Sequence, residues 1–134
     1  ISGNHLVVGA WLDDDDGVTD AGSVYLFNLT DVGSWDYVQK IVALDATADA
    51  YFGRAVAISG NHLVVGSPGD SAVYIFRTSD SGDSWVQILK VVSDEVPDDR
   101  DDAPYYSDRS DFGRSVAIDG NTIVVGALYD SSAS

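Results

Sequence analysis

Residues 11–22 read WLDDDDGVTDAG, and the four adjacent carboxylates are the densest chemical signal in the chain. Asp13, Asp14, Asp15 and Asp16 repel one another, and a bound hard cation would relieve that repulsion. Asp14, Asp16 and Gly17 match the latter part of an Asp-x-Asp-x-Asp-Gly calcium loop, although Leu12 stands at the first ligand position. Asp14, Asp16 and Asp20 are therefore the candidate calcium ligands, with Asp13 and Asp15 beside them. The alternative is a solvated acidic turn whose side chains accept from backbone N–H groups. The sequence leaves both readings open.

Other positions offer less chemistry. Asn28-Leu29-Thr30 is an N-glycosylation sequon, placed by the pattern just after a strand in a surface connection. His5 and His62 recur at one repeat position where Thr122 stands in the third copy, so they are expected to serve structure. Trp35 and Trp85 also recur and are expected to pack on outer strands. Trp11 does not recur, which makes it a candidate partner contact. Residues 93–111, SDEVPDDRDDAPYYSDRSD, form an acidic insertion in which Tyr105 and Tyr106 supply a second candidate contact surface. Arg54 and Arg114 follow equivalent Phe-Gly pairs and are expected to meet loop carboxylates. There is no nucleophile motif, no histidine among carboxylates at metal-ligand spacing, and no glycine-rich phosphate cradle before a helix. The chain reads as no enzyme, with no catalytic residues and calcium as its one candidate cofactor.

Composition narrows the partners. Twenty-two Asp and Glu against 7 Lys and Arg give a formal net charge of −15, which repels phosphate backbones and anionic lipid. Nucleic acid and membrane insertion are excluded as expectations. Other protein chains, further blades of the same chain, or glycan fit better. The absence of cysteine removes disulfides and thiolate sites without fixing a compartment. No signal peptide or transmembrane run is present, and the first residue already lies in a strand pattern, so a mature or excerpted chain is expected.

The elements that must position these residues come from repetition. FGRAVAISGNHLVVG at 52–66 matches FGRSVAIDGNTIVVG at 112–126, and ISGNHLVVG at 58–66 also opens the chain. GSVYLF answers SAVYIF, and SWDYVQKIV answers SWVQILKVV with Lys40 and Lys90 in register. Each segment is short, rich in Val, Ile, Tyr and Phe, and bounded by turn residues, which predicts strands and essentially no helix. Val24 and Leu26 point to one face, Tyr25 and Phe27 to the other, so both faces need cover. The three Gly-Asn pairs predict tight hairpins.

A repeated four-stranded antiparallel unit of this kind predicts an all-β, β-propeller-type fold with about two and a quarter blades, too few to close a ring. The expected divisions are 1–51, a partial blade of three strands; 52–111, a complete blade carrying the insertion; and 112–134, a partial blade of two strands. An excerpt of a longer polypeptide is expected over a subunit of this length.

These residues resemble the FG-GAP repeat, the blade unit of integrin α-subunit-like propellers. Phe52-Gly53 and Phe112-Gly113 supply the FG element. Gly9-Ala10, Gly66-Ser67-Pro68 and Gly126-Ala127 supply the GAP element, each imperfectly. The resemblance implies an extracellular or cell-surface propeller used in adhesion or recognition. It also implies a calcium loop between the FG and GAP strands. Here that position holds only the Gly-Asn turn, too short to wrap a cation needing 6–8 oxygens. A structural subunit of a glycosylated extracellular fibre or sheath is the alternative, and a scaffold part of a larger secreted enzyme is a second.

Overall fold

A computed structural model describes residues 1–79, 82–93 and 111–128. Nine strands are present among the described residues: β1 His5–Ala10, β2 Ser23–Leu29, β3 Trp35–Ile41, β4 Ala55–Ser59, β5 His62–Ser67, β6 Ala72–Thr78, β7 Trp85–Val92, β8 Ser115–Asp119 and β9 Thr122–Gly126. The only helical element among the described residues is a single 3-10 turn, Pro68–Asp70. None of them forms a helix long and apolar enough to cross a membrane. The strands form three antiparallel sheets in the orders β1-β2-β3, β4-β5-β6-β7 and β8-β9. The all-β expectation therefore holds, and the sheets are open units of three, four and two strands, as partial propeller blades require.

The Gly-Asn hairpins form as their sequence demands. Gly3, Gly60 and Gly120 adopt φ of 53°, 53° and 55°, while the following asparagines keep negative φ. Positive φ at the first central residue alone is the pattern of a type II′ turn. Successive turns are also linked. The Gly60 N–H donates to Ser2 Oγ at 3.1 Å, and one blade later the Gly120 N–H donates to Ser59 Oγ at 3.2 Å.

Alternation along the strands builds two apolar layers. Val7, Val24, Leu26 and Ile41 of the first blade pack against Phe52, Leu63, Val65, Tyr74, Phe76 and Trp85 of the second. Val64, Val73 and Ile75, on the opposite face of the second blade, pack against Phe112, Val116, Ile118, Ile123 and Val125 of the third. The middle blade is thus covered on both sides, which explains why adjacent residues Leu63, Val64 and Val65 are all fully buried. Each such side chain contributes roughly 1.5–3 kcal/mol by leaving water. At the ends of the stack the same positions are open. Val8, the counterpart of Val65, is 45% exposed, and Val124, the counterpart of Val64, is 63% exposed.

The Phe-Gly and Gly-Ala/Ser motifs meet at the backbone. Within a blade, the Gly53 N–H donates to the Gly66 carbonyl at 3.0 Å, and Gly113 does the same to Gly126 at 3.1 Å. Between blades the approach is closer. A Cβ on Gly9 would lie 1.9 Å from the Gly53 carbonyl oxygen, and one on Gly66 would lie 1.9 Å from that of Gly113. The motif glycines are therefore the points where one blade's main chain rests on the next.

Candidate functional site

The acidic stretch lies in the β1–β2 connection. Asp16 and Gly17 both have positive φ, 48° and 83°, and the Val18 N–H donates to the Asp15 carbonyl at 2.8 Å. Two central residues of positive φ make Asp16-Gly17 a tight type I′ turn, a role that Asp and Gly fill readily. Asp14 Oδ1 accepts the Asp20 N–H at 2.8 Å. Asp13 Oδ2 accepts the Ser23 hydroxyl at 2.6 Å and the Tyr25 hydroxyl at 2.9 Å. Lys40 Nζ lies 3.1 Å from Asp13 and 3.0 Å from Asp15.

Asp13 and Asp15 share the Lys40 ammonium, while Asp14 caps the Asp20 N–H. The expected calcium set of Asp14, Asp16 and Asp20 is not assembled around one point, and no group of three or more candidate metal ligands occurs among the described residues. The positive charge that relieves Asp13 and Asp15 is an ammonium from the chain itself. Hydrogen bonds from Ser23, then Tyr25 and Lys40, hold the Asp13 carboxyl below its ordinary range. The Lys40 ammonium is in turn raised by its hydrogen bonds to Asp15 and Asp13.

Lys40 faces Tyr25 across β2 and β3, with its ammonium 5.8 Å from the ring centroid. The second blade repeats this pair. Lys90 faces Tyr74 across β6 and β7, with its ammonium 5.0 Å from that ring. Here the carboxylate arrives from elsewhere. Asp45, in the connection between the first two blades, accepts the Tyr74 hydroxyl at 2.9 Å and pairs with Lys90. Lys90 lowers the Asp45 carboxyl, and burial pushes the Tyr74 hydroxyl up to about 12. Burial opposes the charge on Lys90, but its bonds to Asp45 and Tyr74 outweigh that and leave it raised. Sequence reading aligned Lys40 with Lys90 but missed the shared tyrosine partner. The recurring Val-Tyr motif was the available signal.

Trp11 is half-buried within the chain. Its ring meets Tyr51 edge to face at 5.5 Å, and the Arg54 guanidinium stands 4.7 Å from its centroid. Arg54 therefore has an aromatic partner rather than the expected loop carboxylate, whereas Arg114 does pair with Asp111 at 2.8 Å. Trp85 is buried on the outermost strand of its blade. Gln39 of the first blade satisfies the Trp85 main chain in both directions, accepting its N–H at 2.9 Å and donating to its carbonyl at 3.3 Å.

Asn28 sits inside β2, not in the connection after it. Its Oδ1 is 2.8 Å from His5 Nδ1, and its Nδ2 donates to Asp83 at 3.3 Å. The His5 ring meets Trp85 edge to face at 5.7 Å, so both residues work at the junction of the first two blades. The Thr30 hydroxyl is paired with Ser34 at 2.8 Å. Tyr105 and Tyr106, with most of the acidic insertion, lie outside the described residues.

A family model for the FG-GAP repeat matches residues 1–27, 35–86 and 105–134. No curated protein matches the chain.

Proposed function

Since the chain belongs to the FG-GAP repeat family, we propose that it is a noncatalytic propeller segment of an extracellular or cell-surface protein, working in adhesion or recognition. The observation that carries this reading is the use made of its reactive side chains. Asp13, Asp15, Asp45, His5, Asn28 and Trp11 are each bound to other parts of the scaffold. What remains for function is surface, and that surface is strongly acidic, with a net charge of −15. Such a field favours partners with cationic patches and gives binding that weakens with salt.

Immobilised protein exposed to cells and to soluble basic proteins tests this. Saturable binding that falls between low and physiological salt is expected. Binding no stronger than that of an unrelated chain of equal charge would sink the proposal.

One observation favours the fibre reading as an alternative. Both ends of the stack present open apolar strand positions, Val8 on one side and Val124 on the other. Apolar positions open on two opposite faces permit head-to-tail addition that need not close. Light scattering across a concentration series separates the readings: filaments support the fibre, and a species of constant mass supports the propeller segment.

A further inference from the structure

The two Tyr–Lys pairs hold their carboxylates from opposite directions. In the second blade, Asp45 reaches Tyr74 and Lys90 from the connection that leaves the first blade. The rest of that connection is strapped down on both sides. Thr47 donates to Asp70 at 2.7 Å, and the Ala50 carbonyl accepts from Gly69 at 3.0 Å and from Ser67 at 2.9 Å. From the first blade, the carbonyls of Thr19, Asp20 and Ala21 take the N–H groups of Asp49, Tyr51 and Phe52 at 3.0, 3.1 and 3.0 Å.

In the first blade, Tyr25 and Lys40 occupy the same cross-strand positions and bind a carboxylate through the same two groups, but that carboxylate belongs to their own blade. The difference lies in the hairpin loop. The second blade closes its corresponding loop with the short turn Pro68–Asp70. The first blade uses residues 11–22, long enough for Asp13 and Asp15 to fold back over Tyr25 and Lys40.

We propose that the Tyr–Lys pairs of the first and second blades are sockets for a carboxylate on the strap of a neighbouring blade, and that in the first blade Asp13 and Asp15 plug that socket from within. The ligand class is an acidic, extended connecting segment of the kind that residues 42–53 supply to the second blade. The plug withholds the outward socket of the first blade from any such segment. Loop 11–22 thus has two sides: its carbonyls grip the outgoing strap, and its carboxylates seal the incoming one. The socket follows from the repeat of the blade and stands whether or not the protein adheres to anything.

The probe is a synthetic peptide with the sequence of residues 42–53, which contains the strap and Asp45. Wild-type protein is expected not to bind it, because the plug is intramolecular. The double variant Asp13→Asn, Asp15→Asn is expected to bind at least about tenfold more tightly, the worth of a charge-assisted hydrogen bond. Adding Lys40→Met to that variant should return binding to the wild-type level. A second variant, with residues 11–22 replaced by the short loop of the second blade, should bind like the double variant if its strand content is unchanged. NMR of the lysine ammonium groups gives an independent readout: a slowly exchanging Lys40 signal in the wild type, its loss in the double variant, and its return with peptide. Equal peptide binding by wild type and both unplugged variants overturns the plug. Absence of binding by unplugged, folded variants overturns the socket.

Discussion

Asp45, in the connection that leaves the first blade, and Lys90, in the second blade, stand 45 residues apart in the chain, yet they close an ion pair under which the Tyr74 hydroxyl is also held. The first two blades are therefore joined in two ways: a broad apolar layer across the sheet faces, and a polar strap at one end. The layer supplies most of the stabilisation, because the ion pair is partly exposed and such pairs are worth about 0–1 kcal/mol. The strap sets register instead. It fixes where the second blade starts relative to the first, so that Phe52 enters the layer between them.

Removing Asp45 should cost more than the ion pair alone. In Asp45→Ala, the hydroxyl of fully buried Tyr74 loses its acceptor, and Lys90 loses its counter-charge. A loss of about 1–3 kcal/mol is expected from the stranded buried donor. Lys90→Met, which leaves the Tyr74–Asp45 bond in place, should cost less. Urea unfolding midpoints of the two variants check the order.

The pH profile should show a plateau with two arms. Asp13 and Asp45 have carboxyls depressed below the ordinary 3.8, so the stability they supply is complete above that value. It is lost as pH falls through their folded values, which places the acid arm below pH 3.8. On the other side, Tyr74 is pushed from 10.0 up to about 12, so stability falls as pH rises across that interval. Lys40 and Lys90, raised above 10.5, keep their contributions below 10.5 and lose them as pH rises through their folded values. Thermal melts from pH 2 to 12 test the shape. Asp45→Asn should flatten the acid arm, and an unchanged arm would contradict the assignment.

The motif glycines separate steric demand from conformational freedom. Gly9→Ala places a methyl group 1.9 Å from a main-chain oxygen that cannot yield without moving the next blade. A loss of about 3 kcal/mol or more is expected. Gly33→Ala, with φ of 82° and nothing within 4 Å, should cost only about 1–2 kcal/mol for the left-handed backbone. Equal losses in the two variants, measured by chemical denaturation, would show that blade contact at Gly9 is not tight.

The sequence disclosed the strands, the turns and the blade period because these depend on residues close together and repeated. Val64 and Val65 read as strand residues wherever they stand, and the Gly60-Asn61 pair reads as a turn. The partners of polar groups were less accessible. Nothing local to Asp13 points to Lys40, or to Asp45 the role of strap, because each contact depends on how the sheets stack. Arg54 shows the same limit: beside Phe52-Gly53 its neighbours suggested a carboxylate, while the fold brought Trp11 to it. The Val-Tyr motif ends its repeated pattern at Phe27, which places Asn28 after the strand, yet β2 runs on to Leu29 through its pairing with Trp35.

That placement makes a prediction about the sequon. A glycan on Asn28 would use Nδ2, the atom that donates to Asp83, in a half-buried side chain that also meets His5. Attachment before folding would hinder docking of the first two blades. Folded protein secreted from a glycosylating host is therefore expected to carry Asn28 unmodified, as read by glycopeptide mass spectrometry. Full occupancy in a chain with native stability would contradict the structural role given to Asn28.

Calcium provides the sharpest contrast between charge and geometry. Loop 11–22 is acidic enough to attract a divalent cation, but Lys40 already neutralises Asp13 and Asp15, and Asp14 is held by the Asp20 N–H. A cation would have to displace the ammonium and gather carboxylates that form no metal-ligand group among the described residues. Wild-type protein should therefore melt at the same temperature with calcium as with a chelator. In Lys40→Met the loop keeps its carboxylates and loses its internal cation, so mutual repulsion destabilises it in chelator. Added calcium should then restore part of the melting temperature, since a ligand bound only by the folded state stabilises it by mass action. A calcium-dependent rise in the wild type would mean that the loop rearranges around the ion. A Lys40→Met variant insensitive to calcium would mean that Lys40 does not stand in for a cation.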